Sequence, residues 1–168
     1  NRIVKATDKE LTLQSMIEMM TVEYGFDSKD IERDFKFKYE DCDGKKKSTK
    51  VDLAIFSEGM AHDVDNMIRV VIVAKDEKVK AEDKSKGVVA SLENILTYTT
   101  CEFGCWTNGE DLQFLHYSED DFGQALVESL SDFPSAGQTL EDLINAGDKA
   151  APRKPANESL VKTFKRCH

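Results

Sequence analysis

A chain of 168 residues with 40% hydrophobic content is the size of one domain with an ordinary core. No apolar run approaches the roughly 20 residues that cross a bilayer, which argues against an integral membrane protein. Four cysteines are too sparse for a disulfide scaffold, so reduced thiols and a cytoplasmic setting are expected. The net charge of −9 argues against unspecific attraction to polyanions. The charge is uneven, however. Lys45, Lys46, Lys47 and Lys50 form one cluster and Lys75, Lys78, Lys80, Lys84 and Lys86 another, while residues 110–148 are acidic. A basic rim on an acidic body and two solvated loops are both open readings. The start, Asn1-Arg-Ile-Val, shows no signal-peptide pattern and no initiator methionine, as expected of a trimmed fragment.

Residues 8–25 predict a helix, because Leu13, Met16, Ile17, Met20 and Tyr24 recur at helical spacing and Gly25 can end it. Residues 31–40 alternate: Phe35, Phe37 and Tyr39 on one face, Asp34, Lys36, Lys38 and Glu40 on the other. They predict a half-buried strand, turning at 41–44 and pairing as a hairpin with a strand over 51–56. Residues 57–66 form a polar loop. The β-branched run over 67–75 is too continuous for a half-exposed strand and belongs in the middle of a sheet. Residues 76–86 read as loop and 87–100 as a second helix. Residues 103–106 and 112–117 read as strands joined by a turn at Asn108-Gly109.

The order α, β, β, β, α, β, β gives an α/β fold with a mixed central sheet flanked by helices. Residues 122–130 predict a short helix. The first 130 residues make the domain. Residues 131–168 make a peripheral segment with all three prolines, ending at 159–168 in a helix that leads towards a removed downstream domain.

Two strands carry chemistry. Asp52 interrupts the apolar run over 51–56, and Lys75 closes the run over 67–75. Hydrolysis of a phosphodiester needs a divalent cation on hard oxygen ligands, a positioned water and stabilisation of phosphate charge. Asp52 can ligate such a cation and Lys75 can orient the water. Side chains alternate along a strand, so Val71, Val73 and Lys75 share a face. The second carboxylate is expected at position 73, where the sequence has valine.

Several strings, in order, resemble the N-terminal nuclease domain of type I restriction enzyme R subunits and of restriction–methyltransferase fusions, within the PD-(D/E)xK superfamily. Glu10 stands fifteen residues before Gly25, like the helix glutamate of that family. Lys50-Val-Asp-Leu-Ala-Ile-Phe56 resembles its aspartate strand, and Ile72-Val-Ala-Lys75 its E-x-K strand. Asn94-Ile-Leu-Thr-Tyr98 resembles its Q-x-x-x-Y helix, and Gly104-Cys-Trp-Thr-Asn-Gly-Glu110 its Trp-Thr-Asn-Gly turn. Leu160-Val-Lys-Thr-Phe-Lys-Arg-Cys-His168 resembles the helix before the next domain of the fusions.

The resemblance implies a restriction-endonuclease-like core that cuts double-stranded DNA with Mg²⁺, beside a methyltransferase or motor part of the same protein or complex. It implies metal ligation by Asp52 and the carbonyl of Ala74, water positioning by Lys75, and support from Glu10, Asn94 and Tyr98. Three departures stand out: Val73 for the strand glutamate, Asn94 for the glutamine, and Leu13 for an arginine often found after the helix glutamate. Two accounts follow. The domain is degenerate and keeps only DNA contact or docking, or the carboxylate has migrated, with Glu93 the best donor and Glu77 and Asp76, further along the backbone, less well aimed. A third, unrelated reading is a protein-interaction domain in which Asp52 and Lys75 form a structural pair. Zinc on Cys101, Cys105, Cys167 and His168 is disfavoured by their separation.

Overall fold

A computed structural model describes residues 8–75, 77–80, 88–149 and 162–164. Helix α1 (Asp8–Glu18) continues into a π-helical turn, Met19–Glu23, and stops at Gly25, whose φ of +75° suits glycine. Strands β1 (Ile31–Glu40), β2 (Lys46–Phe56) and β3 (Met67–Val73) form an antiparallel meander. Helix α2 (Val88–Tyr98) crosses over to β4 (Phe103–Thr107), which runs parallel to β3. Strands β5 (Leu112–Glu119), β6 (Ala125–Leu130) and the short β7 (Lys162–Phe164) follow antiparallel, and α3 (Leu140–Lys149) lies between the last two in sequence. One mixed sheet results, in the order β1-β2-β3-β4-β5-β6-β7.

The β-branched run does take an interior place, with β2 and β4 on its two sides and core on both faces. Leu53, Ile55, Val71, Val73 and Cys105 face α1, through Leu13, Met16 and Met20. Val51, Ala54, Phe56, Val70, Trp106 and Leu115 face α2, through Leu92, Ile95 and Leu96. Helix α2 can lie this close because position 104 is glycine. A Cβ there would stand 2.6 Å from Leu92 Cδ1.

Three expectations for the C-terminal part of the chain change. Residues 125–130 form a strand, although a helix was expected over 122–130. Asp120 Oδ1 accepts the amides of Phe122 and Gln124, and Gly123 takes a φ of +76°. That turn folds the chain back onto β5, and pairing overrides the weak helical spacing. The described part of 159–168 is likewise a strand, β7, where a helix was expected. The segment after β6 also enters the core. Phe133 is fully buried against Tyr24, Phe103 and Phe114, and Tyr24 donates to Asp132. Arg69 stacks 4.3 Å above the Phe103 ring and donates to the Pro134 carbonyl, which pins this segment to β3. Burial pushes its guanidinium down to about 10, against the raising influence of nearby Cys101 and Glu102.

The β1–β2 hairpin contains a pleat reversal. Asp34 adopts a φ of +52°, uncommon for a residue with a side chain. Arg33 and Ile31 lie on the α1 side of the sheet, whereas Phe35, Phe37 and Tyr39 lie on the α2 side. On the partner strand the faces switch across Asp52, with Val51 towards α2 and Leu53 towards α1. Cys101 and Cys105 are buried thiols, and burial raises both. Cys42 is disulfide-bonded, contrary to the expectation of reduced cysteines throughout.

His116 on β5 is buried against Phe103, and burial holds its imidazole below the ordinary 6.5 despite the nearby Glu102 and Glu128. The folded state thus binds this proton less readily than the unfolded chain. His116 contributes stability above the ordinary value and loses it as the pH falls through the folded value. Urea titrations at pH 7.5 and 5.0 will show a smaller acid loss for His116→Gln than for the native chain; equal losses would contradict this.

Candidate functional site

The residues singled out from sequence come from α1, β2, the end of β3 and α2. The paired register of β2 and β3 ends at Leu53 and Val71. Beyond it β3 stays with β4: Val73 pairs with Thr107, and the Ala74 amide donates to the Thr107 carbonyl at 2.8 Å. The Val73 amide is left facing β2, and Asp52 supplies its acceptor. Oδ2 of Asp52 accepts that N–H at 2.8 Å. Its other oxygen, Oδ1, lies 2.9 Å from Nζ of Lys9 on α1. Asp52 is only 6% exposed, so this pairing is what makes a buried charge tolerable there.

Lys9 was not among the residues chosen from sequence, although a signal existed. It lies four residues before Leu13, on the same buried stripe of α1. A lysine in that stripe needs an anion under it, and Asp52 is that anion. Half of its side chain stays wetted, since Lys9 is 41% exposed. Its neighbour Glu10 turns to β1, where Arg33 donates to it at 2.6 Å and holds its carboxyl below the usual range. Arg33 was likewise missed.

Val73 projects into the α1-side core at 3% exposure. The isopropyl group thus fills the space that a second strand carboxylate would need beside Asp52. Ala74 is buried, and Lys75 is exposed just beyond the strand. On α2, Glu93 is buried, Asn94 is exposed, and Tyr98 stacks on Tyr39 of β1 at 6.0 Å between ring centroids. Helix α2 packs on the face of the sheet opposite α1, Lys9 and the Val73 side chain. The structure therefore joins Asp52 to Lys9 and Val73, Glu10 to Arg33, and Tyr98 to Tyr39. Of the two acids that follow Lys75, Glu77 is exposed and Asp76 lies outside the described residues.

This donor set does not fit Mg²⁺. Among the described residues, no three His, Cys, Asp or Glu side chains gather as they would around a metal ion. The one acid at the strand fork is neutralised by an ammonium. A divalent cation at Asp52 would compete with the Lys9 ammonium for Oδ1 and be repelled by it, a repulsion that the 41% exposure of Lys9 partly screens.

A separate open groove of about 340 Å³ lies on another flank of α1, between Leu11, Thr12, Met16 and the turn at Gly109 and Glu110. It contains none of the residues selected from sequence except the Trp-Thr-Asn-Gly turn. Asn108 builds that turn, accepting the amides of Glu110 and Asp111 and donating to the carbonyls of Glu77 and Val79. Among the described residues, no helix is long and apolar enough to cross a membrane.

Comparison with known proteins gives one finding, which covers the chain from α1 to just past β6. A family described as type I restriction enzyme R protein N terminus matches residues 8–134, from α1 through Pro134. No curated protein and no solved structure matches the chain.

The Lys9–Asp52 pair is testable through a double-mutant cycle. Lys9→Met will cost about 1–3 kcal/mol in urea unfolding, because it strands the buried Asp52 carboxylate, and Asp52→Asn will cost less, because the 41% exposed Lys9 stays solvated. The two effects will be non-additive by about 1 kcal/mol or more. Additive losses would show that the pair is not coupled.

Proposed function

We propose that this chain, which belongs to the type I restriction enzyme R protein N-terminal family, is a nuclease-fold domain that has exchanged metal-dependent cutting for a structural ion pair. In this reading it serves a restriction–modification system by contacting double-stranded DNA and docking neighbouring parts. Those parts are a motor or a methyltransferase of the same protein or complex.

One observation carries the reading. The aspartate that would ligate the cation is occupied by Lys9 Nζ and by the Val73 amide, and Val73 itself stands where the second ligand is expected. Mg²⁺ holds its place through hard oxygen ligands and retained waters. A single carboxylate with an ammonium at 2.9 Å offers a poor start. The Lys9 ammonium supplies the positive charge that a cation would otherwise provide, and it does so without presenting an activated water. The competing reading, Mg²⁺-dependent hydrolysis with Glu93 replacing the lost glutamate, needs that residue to act from α2, on the opposite side of the sheet.

Titration calorimetry with Mn²⁺ or Mg²⁺ separates the two. The native chain and Asp52→Ala should both give no saturable heat up to millimolar metal, and neither should nick plasmid DNA. The combined change Lys9→Ser and Val73→Glu should create metal binding that a further Asp52→Ala removes. Saturable heat from the native chain that disappears in Asp52→Ala would restore the nuclease reading, whatever the designed variant does.

A further inference from the structure

We propose that the lysine face of the β1–β2 ribbon is the surface through which this domain meets the phosphates of double-stranded DNA. The inference rests on the DNA-contact reading above and gives that contact a place. The register sets Lys36 opposite Lys50, Lys38 opposite Ser48 and Glu40 opposite Lys46. All of these side chains are exposed on one face of the ribbon.

The pleat reversal at Asp34 creates this face. Without it, strict alternation would put Phe35, Phe37 and Tyr39 on the α1 side and the lysines against α2. With it, the aromatic residues pack on the core, Phe35 edge-on to Phe56 at 5.0 Å and Tyr39 stacked on Tyr98. The lysines are left on the α1 side, beyond the point where Arg33 and Glu10 tie α1 to β1. The aromatic underside anchors the ribbon, so it cannot roll its charged face away.

Charge argues for a polyanion. Lysines directly opposite one another in an antiparallel pair repel. Lys36 and Lys50 hold that arrangement in a chain of net charge −9, and Lys50 is only partly relieved by exposed Asp34 at 3.6 Å. An anionic partner removes the penalty. The shape argues for duplex DNA: two-stranded ribbons fit its major groove. Lys36 and Lys38 are about 6.8 Å apart along the strand, close to two nucleotides of axial rise. Between the lysines stands Ser48, with no Asn, Gln or Arg to read a base edge, so the contact is to phosphate and independent of sequence.

The test is fluorescence anisotropy of the 168-residue chain against a labelled 20-base-pair duplex, from 50 to 300 mM salt. Four phosphate contacts predict a slope of log affinity on log salt of about −3.6. Combined Lys36→Gln, Lys38→Gln, Lys46→Gln and Lys50→Gln should weaken binding more than tenfold and flatten the slope towards zero. Lys78→Gln with Lys80→Gln, exposed lysines beyond β3, should leave both unchanged. Native-like binding by the ribbon variant would overturn the ribbon assignment while leaving DNA contact standing. Absence of duplex binding by the native chain would instead overturn the DNA-contact reading and the ribbon with it. Binding to anionic vesicles but not to duplex would do the same and assign the lysines to a lipid surface.

Discussion

The Asp52 carboxylate is the constraint around which this domain is arranged. Strands β2 and β3 separate where the backbone of β3 turns its hydrogen bonding wholly to β4, and the Val73 amide would be orphaned there. A side-chain oxygen closes that gap at 2.8 Å. A buried carboxylate then needs a cation, and the first turn of α1 brings Lys9 over it. One residue thus joins three elements. Position 73, where a second acid was expected from the sequence, is a valine packed into the core, and the positive charge beside Asp52 is that of a lysine.

The pleat reversal opposite this fork has an equally wide effect. By placing Asp34 in the left-handed region, the chain turns the outer half of the β1–β2 hairpin over relative to the inner half. The inner half lies under α1; the outer half offers aromatic rings to the α2-side core and lysines to the α1 side. The acidic site and the basic ribbon therefore lie on one side of the sheet, in sequence along β2. An acidic chain can carry a local basic surface when the fold segregates its lysines in this way.

Much of the fold was legible because its signals are local. The alternation of Phe35, Phe37 and Tyr39, the apolar run of β3 and the spacing of Leu92, Ile95 and Leu96 each name an element and its buried face. The family could be read from Trp-Thr-Asn-Gly and from the spaced Asp52 and Lys75 strings. What sequence did not disclose depends on partners far apart in the chain. Lys9 reads as one more polar residue of a first helical turn until Asp52 is placed beneath it. Residues 125–130 carry helical spacing, yet an Asp120 turn and the open edge of β5 make them a strand. Phe133 sits in a segment with the composition of a linker, but its ring fills the gap between Tyr24, Phe103 and Phe114. The reversal at Asp34 leaves the polar–apolar alternation intact and so has no signature in it.

In the function proposed for this domain, Lys9 occupies the charge position of a metal ion at the strand fork. Paramagnetic broadening reads that position directly, because Mn²⁺ erases amide signals within a short radius. In ¹⁵N-labelled native chain, the Val73 amide resonance should persist as Mn²⁺ is raised to millimolar concentration, and it should broaden once Lys9→Ser and Val73→Glu are introduced together. Selective loss of the Val73 resonance in the native chain at micromolar Mn²⁺, abolished by EDTA, would show that a metal ion, not Lys9, holds the fork.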